Sequence, residues 1–514
     1  MERSDTFLFA DDDFGWWDEP RAQPAAAVAA GSAGVARPVR RRPPPRTLAR
    51  DLARIREGVA QRTTASVFLL ALFGLVFLAV ALSVRLVLSS DRPGSGPVVE
   101  TPAANSPQPT RQQKQTGPPA ALLRPGKQGA EVRDLQLALG ILGFHASAPD
   151  GAFGVGTGAA TAAFQASRGL TPDGVVGPAT RQELTEAIAA KAQEDAAAVG
   201  ARLNESVRSG ALDDTTRGDA RAALDDAVAA MDRLPPGRAA VLGLVLDDLA
   251  AGAGGYDTIR GAALAATLDD NVAALGERRP ETHARGISDG TGVVYHFLPE
   301  YGYEFHPLGS FARLNQLVRR GNKAAVDRLA TALVARGQPV GRGRVWEYRF
   351  PFGGPSTWTS GFAQAVGAQA FARAGALLED ESLAGVAGAA FTAIPKGLSR
   401  PLGGGIWVRE YGFSDMAVLN AQLQSIVSLS EYVEITNDGD ARTFVAEMSA
   451  AAQTLLPQFD TGCWSRYSYG GNPATPSYHA YHVRLLKKLA ASTGDAIWRD
   501  TGARWAAYQS QGPC

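Results

Sequence analysis

From residue 285 onward, apolar residues recur at the three-to-four spacing of amphipathic helices. The pattern predicts seven helices, near 308–336, 358–378, 382–394, 416–434, 438–456, 478–493 and 495–508. Short connections between consecutive helices favour antiparallel hairpins, and such hairpins can close into an α/α toroid whose loop end forms a cleft. A short β-like stretch, GTGVVYHFLPEYGYEF (290–305), precedes them. Farther upstream, Val132, Leu135, Leu139 and Leu142 share one face of a predicted helix. Residues 191–284 mix Ala, Asp and Arg with leucines at helical spacings. Pro235-Pro236 and the glycines from Gly252 to Gly255 break this stretch, which predicts three or four helices in a spacer.

One run lacks polar periodicity altogether. From Ala65 to Val84, between Arg62 and Arg85, no charge interrupts ASVFLLALFGLVFLAVALSV. At about 1.5 Å per residue, twenty helical residues cross a hydrocarbon layer of about 30 Å. A transmembrane helix is therefore expected over 65–88. Arg37, Arg40, Arg41, Arg42, Arg46, Arg50, Arg54, Arg56 and Arg62 precede it, whereas Arg85 and Arg92 alone follow for some distance. Cationic flanks stay cytoplasmic, so a single-pass protein of the bacterial cell membrane is expected, its N-terminus cytoplasmic and its later domains extracytoplasmic.

The flanking segments are not expected to pack. Residues 1–60 open with DTFLFADDDFGWWDEP and turn to Ala, Pro and Arg. They read as a disordered tail, either simply solvated or docking on a cytoplasmic partner. Residues 91–120, rich in Pro, Gly, Ser, Thr and Gln, read as an extended linker.

Composition narrows the function classes. The 514 residues carry 51 basic and 51 acidic side chains, which argues against a nucleic-acid partner. The two cysteines, Cys463 and Cys514, cannot build a four-cysteine zinc site. A disulfide between them and a pair of unpaired thiols both remain open. His479 and His482 could form half a zinc site, but no third ligand lies nearby, so neither metal nor cofactor is expected.

Residues 122–190 contain an internal echo. PDGAFGVGTGAATAAFQ (149–165) and TPDGVVGPATRQEL (171–184) each place an Asp-Gly turn before an apolar pair, a glycine and a helix. Thr157 and Thr180 are expected to satisfy free amides at the helix starts. With Gly126, Gly129, Gln136, Phe153, Phe164, Gln165 and Leu184, this segment resembles the three-helix peptidoglycan-binding domain. The resemblance implies non-covalent binding to peptidoglycan.

The predicted loops of the last region concentrate aromatic residues: Trp346, Tyr348, Trp358, Trp407, Tyr411, Trp464, Tyr467, Tyr469, Tyr478 and Tyr481. Rings with hydroxyl tips suit sugars, although any one of them can equally fill a core. The segments WTSGFAQAVGAQAFARA (358–374), GGGIWVREYGFSDMAVLNAQLQSIVSLSEY (403–432) and FDTGCWSRYSYGGNPATPSYHAYHVRLLKKLAASTGD (459–495) resemble the C-terminal domain of D-glucuronyl C5-epimerases. YEFHPLGSFARLNQLVRRGN (303–322) and WEYRF (346–350) precede them in family order, and the similarity spans about 285–510.

The family implies inversion at C5 of a uronic acid within a polysaccharide. That reaction removes a proton beside a carboxylate and returns one from the opposite face. By the resemblance, Glu410 and Tyr478 are the opposing proton-transfer groups, with Tyr411 and Tyr467 orienting the sugar or sharing the proton. Arg409 or Arg466 would neutralise the substrate carboxylate. Trp358, Trp407, Trp464 and His479 complete the expected substrate contacts. Where the family has paired glutamates, this chain has Arg409-Glu410, and Gly412 and Gly470 stand where the family has proline and arginine. A lyase or hydrolase on the same scaffold, or a non-catalytic binder of envelope glycans, remains an alternative reading.

Overall fold

The computed structural model describes residues 122–144, 149–252, 254–277, 286–298 and 301–512. The expected tail (1–60), membrane helix (65–88) and linker (91–120) lie outside them. Among the described residues, no helix is long and apolar enough to cross a membrane.

Three helices open the described chain: α1 (Ala130–Ile141), α2 (Val155–Ser167) and α3 (Pro178–Arg208). The echo seen in the sequence is a duplicated hydrogen-bond device. Gln136 Nε2 donates to Asp150 Oδ1 (2.7 Å), the Ala152 carbonyl (3.1 Å) and Thr157 Oγ1 (3.1 Å), while its Oε1 accepts from Gly151 N–H (2.8 Å). Gln165 repeats this with Asp173 (2.8 Å), Val175 (2.9 Å), Thr180 (3.1 Å) and Gly174 (2.9 Å). Gly151 and Gly174 adopt φ of 74° and 69°, which a β-carbon disfavours. The two threonines therefore do not cap α2 and α3, whose N-caps are Gly154 and Gly177 with no side-chain bond. Each hydroxyl instead accepts from the glutamine amide that ties turn to helix.

Helix α3 continues without a break past residue 190, burying Ala192, Ala196, Val199 and Leu203. It packs against α4 (Asp214–Met231) and α5 (Pro236–Ala251), and α6 (Thr258–Glu277) closes the bundle on α4. One apolar core runs from Leu123 to Leu275. Phe297 packs against both this core and the C-terminal one. Asn271 clamps the backbone of Tyr303 with two bonds (2.7 and 2.8 Å), and Arg260 grips Glu347 in a bidentate pair (2.6 and 3.1 Å).

A three-stranded antiparallel sheet follows, with β1 (Ile287–Ser288), β2 (Val294–Leu298) and β3 (Gly302–Phe305) in sequence order. Then come four helical hairpins. These are α7 (Pro307–Arg319) with α8 (Lys323–Arg336), α9 (Gly361–Leu378) with α10 (Glu381–Ala393), α11 (Leu419–Thr436) with α12 (Gly439–Leu455), and α13 (Pro476–Thr493) with α14 (Ala496–Gln509). The stretch expected as one helix over 308–336 is two. Gly321 takes φ 64°, and Asn322 Oδ1 caps α8 by accepting from Ala325 N–H (3.2 Å).

The first helix of each hairpin packs against the first helix of the next, α7 on α9, α9 on α11 and α11 on α13. The second helices form the outer layer. This order explains why α9 and α11 are apolar nearly all round, being covered on both flanks. Gly367 of α9 admits the Phe311 ring of α7, since a β-carbon there would lie 2.9 Å from it. Two small hairpins, β4–β5 (Gln338–Val340, Gly343–Val345) and β6–β7 (Ser399–Leu402, Gly405–Val408), lead into α9 and α11.

Candidate functional site

The fourth residue of each of these two inner helices is a buried glutamine that fastens the preceding hairpin. Gln364 Nε2 donates to the Arg344 carbonyl (2.6 Å) and its Oε1 accepts from Trp346 N–H (3.3 Å). Gln422 Nε2 donates to the Ile406 carbonyl (2.8 Å) and its Oε1 accepts from Val408 N–H (2.8 Å). A buried amide without partners costs about 1–3 kcal/mol, so these bonds fix where each strand ends. Just past those strand ends stand Tyr348 and Glu410.

The loops before the inner helices then join one another. Tyr348 pairs with Trp358 across the first loop, with backbone bonds of 2.8 and 3.0 Å and rings stacked at 4.1 Å. Gly361 N–H donates to the Arg409 carbonyl (2.9 Å) and Gly412 N–H to the Thr359 carbonyl (2.8 Å), which lays the Glu410 loop against the Trp358 loop. Tyr411 completes an aromatic wall with Trp358 (5.6 Å), Phe352 (5.5 Å) and Phe413 (5.9 Å).

Burial drives the Tyr348 phenol well above its ordinary value; the Leu308 N–H at its oxygen opposes this, and the Glu410 carboxylate adds to it. The Tyr348 ring also meets His306 edge-on at 5.4 Å, and His306 stacks on His296 at 4.0 Å. Burial keeps both imidazoles neutral, lowering His296 to about 4. His306 also caps α7, its Nδ1 accepting from Gly309 N–H (2.9 Å).

On the other side of the Glu410 loop, Leu419 N–H at the start of α11 donates to the Tyr467 carbonyl (3.0 Å), and Tyr469 N–H donates to that of Ala417 (2.9 Å). The Tyr467 ring meets Tyr478, in the first turn of α13, at 4.9 Å in a T-shaped contact. An unbroken run of contacts thus links the N-terminal ends of α7, α9, α11 and α13.

Behind the tyrosines lies a buried relay. His479 Nε2 lies 2.9 Å from the Trp505 carbonyl, which can only accept, so this nitrogen carries the proton. His479 Nδ1 is then an acceptor for Ser465 N–H (3.1 Å) and Oγ–H (2.8 Å). With its one hydrogen committed, Ser465 Oγ accepts from His482 Nδ1–H (2.8 Å). Burial lowers His479 and takes His482 down to about 3, so both rings stay neutral.

The expected site residues divide by whether any of their surface meets solvent. Glu410 (4%), Tyr411 (8%), Tyr467 (6%), Tyr478 (5%) and Trp358 (5%) keep a few per cent of their surface exposed, with Glu410 Oε2 and the Tyr478 hydroxyl oxygen themselves buried. Trp407 and His479 have none. Trp407 stacks on Phe459 at 5.7 Å, and Trp464 stacks on His479 at 3.8 Å while its Nε1 donates to the Ala474 carbonyl (2.8 Å). Expected as substrate contacts, Trp407, Trp464 and His479 are placed in the packing that supports the loops. All three rings stack inside the fold, and Trp464 and His479 also hydrogen-bond there.

The two arginines are half-buried. Arg409 reaches Asp415 (2.8 Å) and the Gly412 carbonyl (3.3 Å), and Arg466 Nη1 donates to the Gly471 carbonyl (2.7 Å). Cys463, beside Trp464, is disulfide-bonded, and Cys514 lies outside the described residues. In the sequence Tyr348 is one loop aromatic among ten with no site role of its own, and His306 carries no signal of one. Both sit in segments that carry the family resemblance, but the meeting of His306 with Tyr348, and of Tyr348 with Glu410, depends on three separate loops.

Two domain families match the chain. Residues 343–507 match the D-glucuronyl C5-epimerase C-terminus, and residues 128–184 match the peptidoglycan binding domain. The C-terminal part is thus an epimerase-type helical domain, and the module before it is of peptidoglycan-binding type. Among individual relatives, D-glucuronyl C5-epimerase of Caenorhabditis elegans is 29% identical over 179 residues, covering 30% of this chain and 29% of that one. An uncharacterized protein of Methanocaldococcus jannaschii is 27% identical over 100 residues, 19% of this chain and 32% of that one. The chain spans about three-tenths of the length of these relatives.

Among solved structures, the cellobiose 2-epimerase of Bacillus thermoamylovorans aligns with a TM-score of 0.35 at 10% identity, over 48% of this chain and 70% of that one. An endoglucanase of Klebsiella pneumoniae, a family 8 glycosyl hydrolase, aligns with a TM-score of 0.33 at 14% identity, over 44% and 76%. Both likenesses are too loose to bear on the reaction.

Proposed function

We propose that this protein is a membrane-tethered, wall-associated epimerase that inverts C5 of a uronic acid residue, of glucuronate type, within a polysaccharide. The observation that carries the reading is the run of contacts from Glu410 through the start of α11 to the Tyr467–Tyr478 pair. Glu410, Tyr467 and Tyr478 lie along that run with 4–6% of each residue exposed, and Glu410 Oε2 and the Tyr478 hydroxyl oxygen are themselves buried. The same run of contacts links the N-terminal ends of four inner helices, whose dipoles favour an anion.

In this reading Glu410 or Tyr478 takes the C5 proton and the C5–H electron pair passes into the adjacent carboxyl group as an enediolate. The opposing group delivers its own proton to the other face of C5. The first group ends protonated and the second deprotonated, and exchange with water resets both. Tyr411 and Tyr467 orient the sugar, and Arg466 or Arg409 offers a guanidinium to the developing charge. Trp358 supplies the apolar ring for a sugar face. The peptidoglycan-type module holds the protein on the wall, and the helix expected over 65–88 anchors it to the membrane with the N-terminus cytoplasmic.

The full chain, purified in detergent and incubated with glucuronate-containing polymers in deuterated water, tests this. Deuterium at C5 without chain cleavage is expected, and Glu410→Gln should abolish it. Cleavage with new ultraviolet absorbance would identify a lyase instead. No exchange with any uronate polymer, in wild type as in the variant, would leave a binding role only.

A further inference from the structure

A cavity of about 590 Å³ opens at the seam between the peptidoglycan-type module and the helices that follow it. One wall comes from α1 and α3, and the other from the end of α4, the start of α5 and the end of α6. Its floor is aliphatic, formed by Leu135, Ala138, Ile188 and Met231, all buried. Glu131, Asp134, Asp232 and Glu277 stand around it against two cations, Arg181 and Arg238. Four carboxylates against two guanidinium groups leave the rim acidic, and Arg238 is further tied to the Leu275 (2.7 Å) and Gly276 (3.1 Å) carbonyls. Volume, apolar lining, a few charged groups and a position where the module meets the following helices are the marks of a ligand site.

We propose that this cavity receives a peptidoglycan stem peptide, the aliphatic side chains of small residues on its floor and a free ammonium group at its acidic rim. The proposal rests on the module's wall-binding reading and places the contact outside the module proper, at a wall that α4, α5 and α6 complete. Peptidoglycan offers a recognising protein both sugar rings and short peptides. Sugar faces call for aromatic platforms, and no aromatic residue lines this cavity. Methyl groups and an ammonium call for an aliphatic floor and carboxylates, which it has. A seam site also gives the wall contact a mechanical partner, because α3 runs unbroken from the module into the helical bundle.

The test uses the full chain in detergent with two probes. The first is sedimentation with purified sacculi, and the second is calorimetric titration with a synthetic stem tetrapeptide bearing a free side-chain ammonium. Wild type should bind both. Ala138→Phe, which fills the floor, should weaken tetrapeptide binding at least tenfold. Because that variant could misfold, Glu131→Gln with Asp232→Asn provides a second arm on exposed positions. It should weaken the tetrapeptide severalfold and leave binding of its side-chain N-acetylated form unchanged. Sedimentation with sacculi but no heat from the tetrapeptide would overturn the cavity assignment while leaving wall binding intact. Absence of sedimentation would overturn the wall-binding reading and this inference with it.

Discussion

The edge of one tyrosine meets the face of another within the last block of the C-terminal domain: Tyr467 and Tyr478 lie 4.9 Å apart at an interplanar angle of 64°. Their backbones are held independently, Tyr467 by its carbonyl on Leu419 N–H and Tyr478 by the Thr475 cap of α13. The pair therefore has a fixed geometry before any substrate arrives. Fixed geometry is what a proton-transfer group needs, because rate falls steeply when the reacting atoms are misplaced.

Tyr478→Phe keeps the ring contact and removes only the hydroxyl. Deuterium incorporation at C5 should fall by about 10²–10⁴-fold, the range for loss of a general acid or base. The midpoint of urea unfolding should barely move. Tyr467→Phe should give a smaller loss. A Tyr478→Phe protein with wild-type exchange would remove Tyr478 from the chemistry.

Ser465→Ala takes the centre out of the buried relay. His479 Nδ1 loses the Oγ–H donor and His482 Nδ1–H loses its acceptor in a dry site. Unfolding in denaturant should show a loss of about 1–3 kcal/mol. Because the relay backs the loop carrying Tyr467 and the helix carrying Tyr478, C5 exchange measured well below the unfolding temperature should fall as well. Unchanged stability would mean that the relay contributes nothing net.

His482 and Asp248 should give opposite pH signatures. The folded His482 titrates at about 3, against an ordinary value of 6.5, so below pH 6.5 the unfolded chain binds a proton that the native state refuses. Its stabilising share is present above 6.5 and drains away as pH falls toward 3, by about 1.4 kcal/mol per pH unit at most. Asp248, raised to about 7 by burial and the nearby Asp247, works the other way, costing stability as pH rises from 3.8 to 7. Relative to wild type, His482→Asn should gain on acidification below 6.5 and Asp248→Asn on alkalinisation toward 7. Parallel stability-versus-pH curves for wild type and both variants would contradict these assignments.

Gln165→Glu is nearly isosteric yet exchanges a donor for an acceptor. The new carboxylate would face Asp173 Oδ1, the Val175 carbonyl and Thr180 Oγ1, where the amide nitrogen now donates. Near pH 7 the loss should be about 3 kcal/mol, like that of an uncompensated buried charge, and sacculus sedimentation should weaken. Acidification that protonates the glutamate should restore part of it. Gln136→Glu should behave alike, because the two halves of the module use one device.

Much of this protein was legible before folding because the signals were local. Helical periodicity places α9 to α14 within a few residues, and the Asp-Gly turns announce a duplicated module. The aromatic blocks, in their order, carry the family resemblance. Even Gly321 and Asn322, which split the first expected helix, are ordinary stop and start residues once read as such.

What the chain could not show along its length is which aromatic residues face solvent. Trp407 and Trp358 look alike in sequence, each beside small or apolar neighbours in a predicted loop. One is sealed against Phe459, while the other keeps a face open beside Tyr411. The difference is decided by which loop lies over which, and therefore by bonds such as Gly412 N–H to the Thr359 carbonyl, across more than fifty residues. The seam cavity is of the same kind, because its walls come from helices up to about 150 residues apart. Periodicity is a property of neighbours in sequence, whereas exposure and cavities belong to neighbours in space.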